Sequence, residues 1–320
     1  MRLTVDLRFD AVSRPPVDLA ERHMGLHDLL GAARRPRQVM NLIRPERYEE
    51  VTIIEDGRPL SGLQAAALVA VGLARTRRFR VDDPGGSRAT GRGAFLGRAL
   101  ARAAVAVPRE LWSTLRLSRL AKRAAERRFE LPGAVSAPRS VLYVRTEPTL
   151  RWEGTYVGGS ATHTTGVVTG FMANGLGVRV LAAERPAGTE GAAFSEVSVG
   201  RPYQLVRGLS YTAYGERVVH AGRGLRADFV YQRYTLGSSA GLELAERAGV
   251  PLVLEFNGSD VWVEEQWNSG RLRFARTLSA LERRNLTDAS LVVVVSDVLR
   301  EAVVDHGVLA ERLLVNPNGV

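Results

Sequence analysis

Apolar and polar positions follow three different patterns along this chain, and each predicts a different kind of structure. From Met1 to about Asp83 the signals are short. Leu3–Phe9 alternates with the period of a strand, and Glu50–Glu55 is a β-branched run followed by the turn residues DGRPLSG. Leu63–Arg75 reads as an apolar, alanine-rich helix and Phe79–Val81 as a further strand, so this stretch resembles a strand–helix–strand unit. It carries no glycine fingerprint, and no ligand is assigned to it. From Asp82 to Gly93 the sequence DDPGGSRATGRG predicts a mobile loop. Leu96–Phe129 then predicts two helical stretches interrupted by Pro108, and Glu130–Ser140 a linker.

The third pattern begins at Ser140 and is regular. Strands are predicted at Ser140–Arg145, Val178–Ala183, Asp228–Gln232, Pro251–Phe256, Ser290–Val295 and Arg312–Val315. Helices are predicted at Ala161–Asn174, Ser238–Ala248, Leu272–Leu286 and Val298–His306, with a looser stretch between Ala183 and Asp228. Continuous apolar strands joined by amphipathic helices make a parallel sheet covered on both faces. The fold class is therefore α/β, a Rossmann-like parallel sheet preceded by a smaller α/β region and basic helices. The boundaries fall at residues 1–83, 84–139 and 140–320. Ligands of such a sheet gather at the carboxyl ends of its strands.

Composition narrows the function classes. An apolar content of 45% in 320 residues is too high for a disordered chain and allows about two domains. With no cysteine there is neither a disulfide framework nor a thiolate metal site. The histidines at 23, 27, 163, 220 and 306 show no ligand spacing, so no metal is expected. No apolar run reaches the 18 residues of a membrane span, and the opening MRLTVDLRFD lacks the apolar stretch of a secretory signal. These readings point to a cytoplasmic protein.

Charge is informative once it is divided. Residues 1–139 carry 26 Lys+Arg against 15 Asp+Glu, a net of +11; residues 140–320 carry 18 against 19, a net of −1. Between Leu96 and Phe129 nine basic side chains face only Glu110 and Glu126, and Leu111, Trp112, Leu115, Leu117 and Leu120 interleave them. Such a segment suits peripheral contact with an anionic membrane through residues 96–129, or a solvated basic face whose leucines pack on a neighbour. Aromatic residues are too sparse there for a nucleic-acid stacking platform, and no nucleic-acid partner is expected.

The chemistry-bearing residues lie in the third region. Gly158-Gly159 precedes a predicted helix, where paired glycines let the backbone approach a ligand and free N–H groups favour a phosphate or a sugar hydroxyl. His163 falls near that opening, and Gly166 and Gly170 would allow tight packing on the sheet. Alone, the glycine pair reads equally as a simple strand–helix turn, being neither a dinucleotide fingerprint nor a P-loop.

Three phrases in order carry a resemblance. They are GGSATHTTGVVTGFMANGLGVRVLA, then ADFVYQRYTLGSSAGLELAERAGVPLVLEFNGSDVW, then LERRNLTDASLVVVVSDVLREAVVDHGVLAERLLVNPNGV. Together they resemble the N-terminal, acceptor-side domain of GT-B glycosyltransferases of family 4. The resemblance covers about 180 residues and ends in what looks like the inter-domain linker, Asn316–Val320.

That resemblance implies a retaining, nucleotide-sugar-dependent transfer to a glycan, lipid-linked or small-molecule acceptor, as in polysaccharide biosynthesis. No resident cofactor is implied, since the nucleotide-sugar is a co-substrate held mostly by a second Rossmann-like domain. Residues 1–320 alone are expected to be inactive. Gly158, Gly159 and Ser160 would form the loop near the reacting sugar and diphosphate, with His163 beside them. Arg233 and Tyr234 stand where acceptor or donor is contacted, though a salt bridge is an equal reading for Arg233. Asn257 and Gly258 follow the next strand, at a place where many members carry a histidine. Asp260 is the candidate catalytic residue, as a base or as acceptor of a hydrogen bond from a sugar hydroxyl, and it reads equally as a helix N-cap. Ser296 is a further candidate contact that also reads as an N-cap, and Asn318 lies in the linker turn. The alternative class is a non-catalytic binding module or a subunit that lacks a donor domain.

Overall fold

The computed structural model describes residues 2–7, 21–25, 48–55, 60–76, 78–133, 135–147, 151–152, 155–156, 159–200, 207–267 and 272–317. The chain divides into two compact units, one reaching Ser113 and one beginning at Thr114. That division falls inside a helix.

The first unit is built on a sheet of β1 (Arg2–Asp6), β2 (Glu21–Gly25), β3 (Glu50–Ile54), β4 (Arg78–Asp83) and β5 (Gly86–Gly91), in the order β2-β1-β3-β4-β5. The pairs are parallel except β4–β5. Helix α1 (Gly62–Gly72) starts at a capping box in which Ser61 and Gln64 satisfy each other's backbone N–H groups. It buries Leu68 and Val71 against Leu3, Val5, Val51, Ile53 and Phe79, and Ala65 is buried as well. Two sequence expectations change here. The segment Asp82–Gly93, read as a mobile loop, is a hairpin: Asp83 pairs with Gly86 across Pro84-Gly85, and the Asp83 carboxylate accepts the Gly85 N–H at 2.8 Å. The two helical stretches broken at Pro108 are one helix, α2 (Arg92–Glu126), with Pro108 inside it. Ala104, whose carbonyl loses its helical donor to the proline, is exposed, so water can serve that carbonyl.

The second unit carries a seven-stranded parallel sheet of β6 (Ser140–Arg145), β9 (Gly177–Ala182), β10 (Ala193–Glu196), β11 (Phe229–Arg233), β12 (Leu252–Phe256), β13 (Leu291–Val294) and β14 (Leu313–Val315). Their order is β10-β9-β6-β11-β12-β13-β14. A two-stranded piece, β7 (Arg151–Trp152) with β8 (Thr155–Tyr156), stands apart. The helices are α3 (Gly159–Ala173), α4 (Arg207–Ala221), α5 (Ala240–Ala248), α6 (Asp260–Trp267), α7 (Ala275–Asp288) and α8 (Asp297–Asp305). Among the described residues this is a Rossmann-like sheet flanked by helices. The stretch read as loose contains β10 and the fifteen-residue α4.

Strand geometry sends alternate residues to opposite faces, and the two cores separate by that parity. Val141, Tyr143, Phe229 and Tyr231 pack with Val178 and Val180 and with Val168 of α3. Leu142, Val144, Val230, Leu252 and Leu254 pack on the other face with Tyr214 and Val218 of α4, Leu242 and Leu244 of α5, and Leu286 of α7. The glycines Gly166 and Gly170 do not seat α3 closely on the sheet, as no atom lies within 4 Å of where a Cβ would stand on either. Among the described residues, Thr164 and Val168 are the fully buried positions of that helix.

Two glycines separate backbone strain from crowding. Gly237 has φ +72° and a Cβ there would stand 2.5 Å from the carbonyl oxygen of Gly208, while Gly249 has φ +67° with open space around it. Gly237→Ala should cost about 2–4 kcal/mol, combining left-handed strain with overpacking. Gly249→Ala should cost only about 1 kcal/mol. Urea unfolding midpoints of the two variants check the difference.

Candidate functional site

The site grows from the register of three strands. In the parallel ladder Arg145 pairs with Arg233, and Arg233 with Glu255, so two guanidinium groups and a carboxylate stand side by side where β6, β11 and β12 end. All three continue the face that buries Tyr143 and Tyr231, whose rings stack 5.5 Å apart just below them. Helix α3 covers this layer. Because it begins at Gly159, His163 and Thr164 lie in its second turn.

Glu255 is the hub. Its Oε1 accepts a hydrogen bond from Asn257 Nδ2 at 2.7 Å and lies 2.8 Å from Nε2 of His163 and 3.8 Å from Nε of Arg233. Its Oε2 accepts the hydroxyl of Tyr231 at 2.8 Å. Burial pushes the Glu255 carboxyl up, but His163, Tyr231 and Arg233 outweigh it and hold the group below the ordinary carboxylate range. It therefore stays ionised at neutral pH. Burial and the Glu255 charge push the Tyr143 hydroxyl up to about 12, so that phenol stays neutral.

Arg145 is almost wholly buried, and burial lowers its pKa, with the Glu147 carboxylate opposing that shift. Its NH2 group donates to Glu147 Oε2 at 2.7 Å and its NH1 group donates to Thr164 Oγ1. A buried charge persists only when it is paired and hydrogen-bonded in this way.

A second polar group forms after β12. Ser259, not Asp260, is the N-cap of α6: its hydroxyl accepts the Trp262 N–H at 3.1 Å and donates to Glu282 Oε1 of α7 at 2.7 Å. Asp260 is the first residue of that helix, and its Oδ2 accepts the Leu236 N–H at 2.7 Å. Burial pushes the Asp260 carboxyl up to about 7, aided by Glu282 and Glu147 and opposed by the Leu236 N–H and Arg233. Burial likewise raises Glu282, against the Ser259 hydroxyl. Tyr234 is buried, and burial with the Glu282 charge raises its pKa.

A family model described as the glycosyl transferase 4-like domain matches residues 158–319, just over half of the chain. The chain belongs to that family. No curated protein matches it. Membership gives a glycosyltransferase function in general, with a sugar donor and an acceptor as substrates, on the Rossmann-like domain of a GT-B protein.

Of the residues singled out from sequence, the fold brings His163, Arg233 and Asn257 together on Glu255, and sets Tyr234 and Asp260 within the electrostatic reach of Glu282. Gly258, at φ +134°, links Asn257 to the Ser259 cap. Gly159 and Ser160 open α3. Ser296 stands apart from both clusters as the N-cap of α8, accepting the Leu299 N–H at 3.2 Å. Gly158 and Asn318 lie outside the described residues. Sequence reasoning missed Glu255, Arg145, Glu147 and Glu282. The signal for Glu255 was a charged residue at the penultimate position of an otherwise apolar strand, and for Arg145 a guanidinium ending another.

Asp260 gives a titration test. Its folded pKa, about 7, lies above the ordinary aspartate value of 3.8. Between the two, the folded chain keeps a proton that the unfolded chain has released, so stability falls as pH rises through that window. Asp260→Asn removes that loss and still offers an oxygen to the Leu236 N–H. Relative to the wild type it should gain on the order of 2 kcal/mol on going from pH 5 to pH 8, since each pKa unit carries about 1.4 kcal/mol. Urea unfolding at the two pH values checks it, and a flat difference would contradict the raised pKa.

Proposed function

We propose that the edge formed by the ends of β6, β11 and β12 is the acceptor side of a retaining, nucleotide-sugar-dependent glycosyl transfer. The observation that carries this reading is the layer of Arg145, Arg233 and Glu255 in register, closed over by His163 and flanked by a carboxylate poised near neutrality. Sugars are recognised by donors and acceptors held in fixed positions, and Glu255 fixes His163, Asn257 and Arg233 without being free to move itself. On this reading Asp260 takes the hydrogen bond of the acceptor's attacking hydroxyl, since a base that titrates near the working pH is suited to such a proton. Gly159 and Ser160, with the N–H groups that open α3, face the diphosphate of the donor. A donor domain of the kind found in the wider GT-B group would meet this edge from outside.

Saturation-transfer NMR of the chain with a panel of methyl glycosides at pH 8 and pH 6 tests the acceptor reading. At least one glycoside should bind at pH 8 and bind several-fold more weakly at pH 6, where Asp260 is protonated. Asp260→Asn should remove the pH dependence, and His163→Ala should weaken binding about tenfold. No contact with any glycoside, or binding indifferent to both substitutions, would sink the proposal.

Peripheral contact with an anionic membrane belongs to the same reading. Helix α2 exposes Leu100, Val105, Leu111, Trp112 and Leu115 among its arginines, an arrangement of apolar wedges and positive charge that suits a lipid headgroup region. Vesicles containing phosphatidylserine should pellet the protein at low salt, and Trp112→Ala with Leu115→Ala should reduce the pelleted fraction several-fold. Neutral vesicles should not pellet it.

A further inference from the structure

Away from the strand ends, the outer face of α7 borders a groove of about 940 Å³ that the sugar site does not use. Its lining includes the small residues Ala275, Ser279, Ala280 and Thr287 and the arginines Arg128, Arg276, Arg283, Arg284 and Arg312. Among the described residues the acids lining it are Glu265 and Asp288. Asp288 is already engaged, bound to Arg284 at 3.1 Å and accepting the Phe129 N–H at 2.8 Å. Arg284 also donates to the Ala125 carbonyl, so this pair is part of the wall. Arg128, Arg276, Arg283 and Arg312 are all exposed, and among the described residues none of them is in an ion pair.

Four exposed guanidinium groups around one groove, with only the Glu265 carboxylate left to offset them, repel one another at a cost that a bound anion would reduce. Arg276, Ser279, Ala280, Arg283 and Thr287 follow one another at helical spacing along one stripe, which spans roughly 16 Å at 1.5 Å per residue. The length and volume exceed a single phosphate. Among the described residues no aromatic side chain lines the groove; what they offer is charge and planar donor forks.

We propose that this groove binds an oligophosphate group, two or more phosphates in series, brought either by a free oligophosphate or by the headgroups of a phosphate-rich lipid surface. The proposal does not rest on the acceptor reading, because it uses none of the residues around Glu255 or Asp260.

Titration calorimetry of the intact chain with inorganic phosphate, pyrophosphate and tripolyphosphate at low salt tests it. Affinity should rise along that series. Arg276→Ala with Arg283→Ala should weaken tripolyphosphate at least tenfold, and the corresponding double lysine variant should recover part of the loss. Both positions are exposed, so an unchanged thermal melt should accompany the effect. The control is Arg98→Ala with Arg119→Ala on α2, which should leave tripolyphosphate affinity unchanged. Absence of tripolyphosphate binding by the wild type, or an equal loss in the α2 control, would overturn the proposal. Pelleting with phosphatidic acid vesicles, done in a Trp112→Ala, Leu115→Ala background so that α2 does not contribute, separates the sources. Loss of pelleting in the α7 double variant identifies a lipid surface, while unchanged pelleting beside lost tripolyphosphate binding identifies a free oligophosphate.

Discussion

Four groups converge on the two oxygens of Glu255, a residue set one place before the end of a strand whose other members are apolar. A carboxylate in that position would be costly if it stood alone, so the elements around it must arrive in fixed places. β11 brings Tyr231 and Arg233, the turn after β12 brings Asn257, and α3 brings His163. Parallel pairing makes this possible, because every strand of such a sheet ends at the same edge and the register lines up residues far apart in sequence. The two-residue period then places Arg145, Arg233 and Glu255 on one face, above the stacked Tyr143 and Tyr231.

The same edge holds carboxylates driven in opposite directions. Glu255 is stabilised as an anion by a cation, an imidazole and a phenol; Asp260 has one backbone N–H and two neighbouring carboxylates, so burial prevails. Where environments push like groups apart, their roles divide. One carboxylate keeps its charge and acts as a fixed anchor for other side chains. The other can gain or lose a proton near neutrality, which is the property a group facing a reacting hydroxyl needs. The difference follows from the number of donors each one meets.

Much of the fold could be read from the sequence because its strands are continuous apolar runs. SVLYVR, PLVLEF and SLVVVV admit little else, and each is a strand of the parallel sheet. Helix α4 was missed for a physical reason. RGLSYTAYGERVVHA contains two glycines and β-favouring residues, which lower its helical signal. Gly208 and Gly215 fit the packing instead, since a Cβ on either would push aside the Leu278 or Ser238 side chain. The hairpin of β4 and β5 reads as a loop because GSRATG has no apolar face; β5 is nearly all exposed and is held by backbone pairing with β4, with Arg88 near the Asp83 carboxylate. In the site, His163, Arg233 and Asn257 were visible as polar residues next to glycines or strand ends. Glu255 was hidden, since its importance lies in cross-strand neighbours that only the register reveals.

Helix α7 shows how one element serves two environments without confusing them. Leu278, Leu281, Glu282, Asn285 and Leu286 face inward, and Asn285 donates to the carbonyls of Ser238 and Leu281, tying the helix to the loop before α5. Successive residues in a helix point about 100° apart, so Glu282 can hold the Ser259 hydroxyl while Arg283 stands in solvent. The inner face is fixed by packing and satisfied hydrogen bonds, and its composition is constrained at every turn. Apart from Arg284, which is bound to Asp288 and the Ala125 carbonyl, the outer face is constrained by neither, yet arginine recurs on it where alanine, lysine or glutamate would serve a solvated helix equally well. An excess of one charge where folding demands none is better explained by what the surface meets than by what it supports.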